Sequence, residues 1–162
     1  FKKAPDIIDK IEIIWLGGHS PICTNNKEFN FEQDVQAIKE IFKSKVDLTI
    51  IPCKGVASNL KISIYELEHY LKGKSELCNY LCSRFYDDGI SGIKKRRTIW
   101  DISVIAYLMN TDWFEERKMD CPEINNNLSY IFNKNDRKIK FVTYLDSNKI
   151  YNDLFNKLVK DN

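Results

Sequence analysis

A strand, a helix and a second strand follow one another near the start of the chain, and this order constrains the fold most. Residues 11–16 form a short apolar run that ends in two glycines, Gly17 and Gly18, which predicts a buried strand closed by a tight turn. Residues 31–42 carry apolar side chains at helical spacing, and residues 48–51 form a second apolar run. Parallel strands need such a crossover, which is nearly always right-handed. The sequence therefore predicts an α/β protein.

The rest of the chain adds helices and strands without repeats or a linker. We predict one α/β fold with a Rossmann-like open sheet of mostly parallel strands and flanking helices, in which residues 1–162 form a single domain or the C-terminal portion of a larger one. The further predicted elements are helices at 64–71 and 76–86, a charged surface loop at 87–98, a buried helix at 100–109, a hairpin of strands at 128–132 and 139–145, and a helix at 149–159.

Composition excludes several classes of protein. The 25 basic and 23 acidic residues give a net charge of +2, which provides no global attraction to nucleic acid or to an anionic membrane. The dense basic run at 94–97 is predicted to be a solvated loop, with a nucleic-acid or localisation patch as the weaker alternative. No apolar run approaches the length of a membrane span. Five cysteines without zinc-site spacing indicate reduced, buried thiols in a cytoplasmic protein.

The segment 28–34 has the composition of a ligand site. In an extended backbone, Glu28 and Asn30 would point to one side and Phe29 and Phe31 to the other. A carboxylate beside a carboxamide suits a ligand with several hydroxyls, and the segment follows a strand end, where ligands of open α/β sheets bind. A helix cap is the competing interpretation for Asn30, and a helix-dipole role is favoured for Asp34.

Asp101 is the second candidate site residue. It opens an apolar helix, and Thr98 lies three residues before it, so a helix cap is the competing interpretation. Trp100 beside it offers a large planar surface. A carboxylate at the mouth of a dry pocket needs a cation or hydrogen bonds, and a hard divalent ion would meet that need, although one carboxylate cannot form such a site alone. His19, at the end of the first strand, is a weaker candidate for a ligand contact.

These landmarks together resemble the later half of the nucleoside hydrolase family. In that family a strand ending in Gly-Gly leads to a Glu-Phe-Asn segment and a helix opened by Asp, and a later helix start supplies a calcium ligand. The matching segments here are Ile-Ile-Trp-Leu-Gly-Gly at 13–18, Glu-Phe-Asn-Phe-Glu-Gln-Asp at 28–34 and Trp-Asp-Ile-Ser-Val-Ile-Ala at 100–106; Ile-Pro-Cys-Lys-Gly-Val-Ala-Ser at 51–58 is similar to one bacterial branch.

The resemblance implies a function and roles for four residues. Nucleoside hydrolases cleave the N-glycosidic bond of ribonucleosides, which releases base and ribose. By similarity, Glu28 and Asn30 would bind ribose hydroxyls, and Asp101 would bind a Ca²⁺ ion that also holds the 2′ and 3′ hydroxyls. Trp100 stands where many members have a histidine that protonates the leaving base, whereas purine-preferring members have tryptophan there. The expected substrate is therefore a purine nucleoside, or a nucleoside bound with relaxed specificity.

One part of the family pattern is missing. Nothing resembles the N-terminal Asp-x-Asp-x-x-x-Asp-Asp run that supplies the other metal ligands and the general base, so that base is expected upstream of Phe1. The expected partners are a nucleoside or ribose and a missing N-terminal segment or partner chain; a homo-oligomer is possible, since family members commonly form dimers or tetramers. The alternatives are a catalytically inactive nucleoside hydrolase-like subunit and an unrelated sugar- or nucleotide-binding module.

Overall fold

A computed structural model describes residues 1, 3–87 and 95–160, which fall into two compact units. The sheet unit comprises Phe1–Ser58 and Trp100–Leu145, and the helical unit comprises Asn59–Ile99 and Asp146–Asn162. Residues 88–94, which include most of the predicted surface loop and Lys94 of the basic run, lie outside the described residues.

Eight strands and six α-helices are present in the described residues, together with three 3-10 helices. The strands are β1 (Glu12–Leu16), β2 (Asp47–Ile51), β3 (Lys61–Ser63), β4 (Arg96–Thr98), β5 (Phe114–Asp120), β6 (Glu123–Ile124), β7 (Tyr130–Ile131) and β8 (Lys138–Leu145). The α-helices are α1 (Phe29–Gln33), α2 (Val35–Lys43), α3 (Ile64–Leu71), α4 (Glu76–Asp87), α5 (Ile102–Met109) and α6 (Ser147–Lys160), and the 3-10 helices are Pro5–Lys10, Ala57–Asn59 and Thr111–Trp113.

The sheet unit contains a four-stranded sheet in the order β1-β2-β8-β5. β1 pairs with β2 in parallel, with Ile13 opposite Leu48, and β2 pairs with β8 in parallel. β5 closes the far edge antiparallel to β8. Leu48, Ile50 and Phe141 are fully buried, because the inner strands of a parallel sheet are covered on both faces. The mostly parallel open sheet predicted from the sequence is confirmed.

The predicted hairpin of strands 128–132 and 139–145 is wrong. β7 pairs with the short β6, while β8 lies inside the main sheet between β2 and β5. β5 was not predicted from the sequence, because its residues read Phe-Glu-Glu-Arg-Lys-Met-Asp and do not alternate between apolar and polar side chains. β5 is an edge strand and is held by backbone pairing with β8, so it needs no fully apolar face.

The single helix predicted at 31–42 is two helices. α1 ends and α2 begins at Asp34, whose side chain accepts a hydrogen bond from the Ala37 N–H at 2.9 Å. Asp34 is therefore at a helix start, as expected, and satisfies a free N–H group there. Glu28, and not Asn30, supplies the cap of α1.

Helix α5 is not buried on all sides, contrary to the prediction. Its inner face carries the buried Ala106 and Tyr107, and the Tyr107 hydroxyl donates a 2.5 Å hydrogen bond to Glu116 on β5. The opposite face exposes Ile105, Leu108 and Met109, each by more than half of its surface. An apolar surface therefore lies on the outside of the sheet unit.

The helical unit packs α3, α4 and α6 around its own core. Leu71, Cys78 and Phe155 are buried within it. α3 begins with a capping box, in which Ser63 accepts from the Glu66 N–H and Glu66 accepts from the Ser63 N–H. Residues 96–98 of the predicted loop are a strand, because β4 pairs antiparallel with β3. Helices α3, α4 and α6 were all predicted from their apolar spacing, and the structure confirms them.

The cysteines were predicted to be buried thiols. All five are unpaired, and all but Cys23 are buried. None of the helices in the described ranges is both long and apolar enough to cross a membrane.

Candidate active site

Glu28 is fixed at the carboxyl end of β1 by backbone groups. One carboxylate oxygen, Oε1, accepts from the Asn30 N–H at 3.0 Å. The other, Oε2, accepts from the Gly18 N–H at 3.0 Å and from the Phe31 N–H at 3.1 Å. These bonds cap α1 and join it to the turn after β1. Glu28 thus has a structural task that the sequence interpretation did not foresee.

The alternating extended segment predicted at 28–31 is wrong. Only Glu28 is extended, and α1 begins at Phe29. Phe31 is fully buried and stacks on Trp15 with ring centroids 5.4 Å apart, whereas Phe29 is 74% exposed. The two phenylalanines therefore do not share a face, because helical spacing separates them.

Asn30 connects α1 to the last residue of β1. Its Nδ2 donates to the Leu16 carbonyl at 3.0 Å. Within the described part of the chain, its Oδ1 has no hydrogen-bond partner, and the second Nδ2 hydrogen is also free. A carboxamide with one acceptor and one donor still available can bind a hydroxyl group through either.

Gly17 and Gly18 allow a close approach of side chains to the turn after β1. A Cβ atom on Gly17 would lie 2.5 Å from the Trp15 ring. Gly18 has a φ of +64°, and a Cβ atom there would lie 2.6 Å from the Tyr130 hydroxyl. Any larger residue at Gly18 would therefore be both strained and crowded. The two glycines fix the turn that carries the Glu28 contact.

Asp101 precedes α5 without acting as its cap. Its backbone is helical (φ −73°, ψ −22°), and its side chain makes no cap hydrogen bond. The predicted capping pair with Thr98 is therefore wrong. Asp101 is exposed, and Trp100 beside it keeps 40% of its surface exposed. An exposed carboxylate without a helix-cap bond is available to a ligand.

One cavity of about 680 Å³ is lined by Glu28, Asn30, Trp100 and Asp101, the four residues to which the resemblance assigns a role. Glu28 and Asn30 come from the segment after β1, and Trp100 and Asp101 from the segment before α5. The carboxyl ends of β1 and β2 both open into it, which is where open α/β sheets bind ligands. The remaining lining residues are Leu16, His19, Phe29, Cys53, Lys54 and Ser58.

Cys53 is a pocket residue that the sequence interpretation missed. It follows β2, and its position after a strand end was the available signal. Burial raises the pKa of its thiol, and the negatively charged Glu28 and Asp101 carboxylates raise that pKa further. The thiol therefore stays protonated at neutral pH, and a thiolate nucleophile is not part of this site.

His19 lines the cavity, and Asn26 holds the backbone of His19 in place. Asn26 is fully buried, accepts from the His19 N–H at 2.9 Å and donates to the Leu128 carbonyl at 3.0 Å. His19 Nδ1 lies 3.1 Å from the Gly18 carbonyl oxygen and 3.4 Å from the Lys54 nitrogen, so its ring is held by local backbone groups. Asn26 was missed because an Asn-Asn pair in a polar segment resembles an ordinary loop.

The described residues supply only part of a metal site. Among residues 1, 3–87 and 95–160, no three His, Cys, Asp or Glu side chains are grouped closely enough to hold a metal ion. Asp101 has the oxygen chemistry of a calcium ligand and makes no helix-cap bond, whereas the Glu28 carboxylate is already bound to backbone N–H groups. The donor set therefore fits one ligand of a calcium site.

Comparison with known proteins identifies the fold. No family model and no curated protein matches the chain. The inosine-uridine preferring nucleoside hydrolase from Bacillus anthracis matches 99% of the chain and 55% of its own length, with a TM-score of 0.76 and 16% identity. The chain has the nucleoside hydrolase fold. An inosine-guanosine nucleoside hydrolase matches 98% of the chain and 56% of its own, with a TM-score of 0.78 and 11% identity.

A third solved structure has a similar fold. The purine-preferring ribonucleoside hydrolase from Gardnerella vaginalis matches 98% of the chain and 55% of its own length, with a TM-score of 0.69 and 16% identity. The chain therefore spans about half the length of these nucleoside hydrolases. The resemblance deduced from the sequence is confirmed for the fold, and identities this low establish the fold alone.

Proposed function

We propose that the chain is the C-terminal part of a calcium-dependent ribonucleoside N-glycosidase, which converts a nucleoside and water to a free base and ribose. The cavity at the carboxyl ends of β1 and β2 is the observation that carries the proposal, because side chains from two distant segments meet there. A nucleoside hydrolase fold supports this reaction over that of an unrelated sugar- or nucleotide-binding module. We also expect a cytoplasmic location.

Asn30 and Glu28 would bind the ribose. Asn30 offers a free acceptor and a free donor to sugar hydroxyls. A carboxylate has about four acceptor positions, and backbone N–H groups take three of those of Glu28. A ribose hydroxyl would take the remaining position. Glu28 would place negative charge near the sugar, which favours an oxocarbenium-like transition state.

Asp101 would supply one oxygen ligand to Ca²⁺, and an upstream segment would supply the others and the general base. When bound, calcium would fix the sugar hydroxyls and lower the pKa of a bound water. An exposed carboxylate without a helix-cap bond supports this role for Asp101. The share of the solved structures that the chain covers, about half, supports an upstream segment.

Trp100 would contact the base. Its half-exposed ring lines the same cavity as the proposed sugar contacts, and a ring stacked on a base contributes about 1–3 kcal/mol. Stacking does not depend on the hydrogen-bonding edge of the base. A preference for purine nucleosides, or relaxed specificity, is consistent with such a contact.

An inosine assay with Ca²⁺ tests the proposal on two samples. The isolated chain should release no ribose, because we expect the general base in the upstream segment. The reassembled protein, which is this chain combined with the polypeptide encoded upstream of Phe1, should release ribose, and a chelator should stop the reaction. Robust turnover by the isolated chain would show that the general base lies within residues 1–162. An inert reassembled protein would contradict the proposed activity.

A catalytically inactive nucleoside hydrolase-like subunit is the second candidate. The observation in its favour is the lack of a metal-binding group of residues in the described part of the chain. In that case, the reassembled protein would bind ribose without cleaving inosine. Ribose binding that does not change when a chelator is added would instead favour a sugar-binding module that needs no metal.

A further inference from the structure

A second groove lies entirely within the helical unit. It has a volume of about 610 Å³ and is lined by residues of α6, α3 and β3. None of these lining residues belongs to the sheet unit or to the cavity at the carboxyl ends of β1 and β2. Its volume is within the range of ligand-binding sites. The proposed hydrolase reaction uses none of its side chains, so the groove needs a separate explanation.

Three asparagines of α6 form a stripe along this groove. Asn148, Asn152 and Asn156 are four residues apart, so they lie on the same face of the helix, and all three are exposed. Asn156 donates one long bond of 3.4 Å to Asn152, and the carboxamide of Asn148 has no partner among the described residues. Asparagine is a weak helix former, because its side chain competes for backbone bonds. Three asparagines therefore weaken α6, and a binding role explains why they are there.

The spacing of this asparagine stripe matches that of an extended peptide. Residues four apart on a helix are separated by about 6 Å along the axis. Two residues of an extended chain span about 6.6–6.8 Å. The N–H and C=O groups of every second residue in an extended chain point to the same side, and one carboxamide can donate to the C=O and accept from the N–H. The stripe can therefore bind alternate residues of a segment about five residues long.

Stacked aromatic rings form another part of the groove wall. Tyr70 of α3 stacks on Phe155 with ring centroids 5.0 Å apart, and Phe155 stacks on Tyr151 at 5.6 Å. The Tyr151 hydroxyl donates to the Leu60 carbonyl at 2.8 Å, which fixes the ring. Tyr70 remains 51% exposed. A rigid aromatic surface that is open on one side can bury the apolar parts of a bound chain.

The charges that line the groove favour an acidic ligand. Lys61, the first residue of β3, is exposed and has no salt-bridge partner among the described residues. Lys149 forms a salt bridge with Asp146 at 3.6 Å and keeps more than half of its side chain exposed. The acidic lining residue, Glu66, already accepts from the Ser63 N–H and hydroxyl. Two ammonium groups therefore face a ligand that carries negative charge.

We infer that this groove binds an extended, acidic peptide segment of another protein, whose backbone the asparagine stripe holds. The repeat distance of the stripe selects an extended chain, and the two lysines select acidic side chains. The inference goes beyond the proposed hydrolase activity and does not depend on it, because every contact that it uses lies in the helical unit.

An NMR titration of the isotope-labelled chain with the peptide Thr-Glu-Val-Glu-Thr, acetylated and amidated at its ends, tests the inference. The amide signals of Asn148, Asn152 and Asn156 should shift saturably, and that of Leu48 in the sheet unit should not. The same peptide methylated on alternate backbone nitrogens should bind about 10-fold more weakly or worse, because it lacks N–H groups that the carboxamides accept. A peptide with lysine in place of glutamate should also bind more weakly.

The Asn152→Ala variant adds a second readout. It should bind the peptide about 10-fold more weakly, or worse, without loss of stability, because alanine is the better helix former. Asn133→Ala, at an exposed asparagine of the sheet unit, is the matched control and should bind normally.

Four results would overturn the inference. They are no saturable shift in α6, equal binding of the methylated peptide, unchanged affinity of Asn152→Ala, and a groove that the upstream polypeptide closes to the peptide in the reassembled protein. Peptide binding to a reassembled protein that releases no ribose would leave the inference standing and remove the proposed activity.

Discussion

The Asp101→Asn variant of the reassembled protein is expected to bind Ca²⁺ about 30-fold more weakly, or worse, with little change in stability. Loss of a charged partner costs about 2 kcal/mol or more, which corresponds to this factor. Asp101 is exposed and makes no cap bond, so the free energy of unfolding should change by less than about 0.5 kcal/mol. Calorimetric Ca²⁺ titration and urea unfolding measure the two quantities.

Asp112→Asn is the matched control for this variant. Asp112 is also an exposed carboxylate of the sheet unit, and it does not line the cavity. Its variant should bind Ca²⁺ as the unchanged protein does. Equal affinities for the two variants would remove Asp101 from the metal site, and a large stability loss in Asp101→Asn would show that its role is structural.

The Glu28→Ala variant of the isolated chain is expected to lose about 2–4 kcal/mol of unfolding free energy. The substitution leaves three backbone N–H groups, of Gly18, Asn30 and Phe31, without their acceptor, and each bond to a charged group contributes about 1.5–3 kcal/mol before solvent replaces part of it. The loss of a helix cap alone costs about 1 kcal/mol. Urea unfolding followed by circular dichroism measures the change.

Glu28→Gln separates charge from hydrogen-bond geometry. Glutamine keeps one acceptor oxygen in nearly the same place, so it should retain part of the cap and lose clearly less stability than Glu28→Ala. If Glu28→Ala were as stable as the unchanged chain, the Glu28 cap would contribute nothing to the free energy of unfolding. A sugar-binding role for Glu28 is therefore better tested with glutamine than with alanine.

The elements that the sequence predicted correctly are those whose apolar pattern matches their burial. β2 is an inner strand with four buried apolar or hydroxyl side chains in succession, and α3 carries Ile64, Leu67 and Leu71 on one buried face. In these cases local sequence and tertiary packing favour the same structure. The strand order of the main sheet could be predicted only for the pair β1 and β2.

The elements that were missed are those that tertiary contacts define. β5 is charged and is recognisable only from its pairing with β8. The break between α1 and α2 depends on the Asp34 cap, because the apolar spacing alone runs through it. The outer face of α5 is apolar but exposed, so the apolar composition of α5 led to the wrong prediction that the whole helix is buried. Composition alone does not distinguish a core face from an uncovered surface.

The candidate site was partly predictable for a physical reason. Strand ends of a parallel sheet meet at one edge, so residues after β1 could be assigned to a pocket from the strand pattern. The hydrogen bonds of Glu28 and the position of Cys53 could not be assigned, because they depend on how the turn at Gly18 brings separate segments together. Asp101 was a candidate from its position at the start of an apolar helix, but only the resemblance assigned it to the same site as Glu28 and Asn30.

An NMR titration of the isotope-labelled, reassembled protein with ribose tests whether Asn30 and Asp101 belong to one sugar site. If Asn30 and Asp101 bind one pentose together with Ca²⁺, their amide signals should shift saturably and in parallel as ribose is added, and a chelator should abolish both shifts. Shifts confined to other residues, shifts that persist after chelation, or no shift at either position would show that Asn30 and Asp101 do not form a calcium-dependent sugar site.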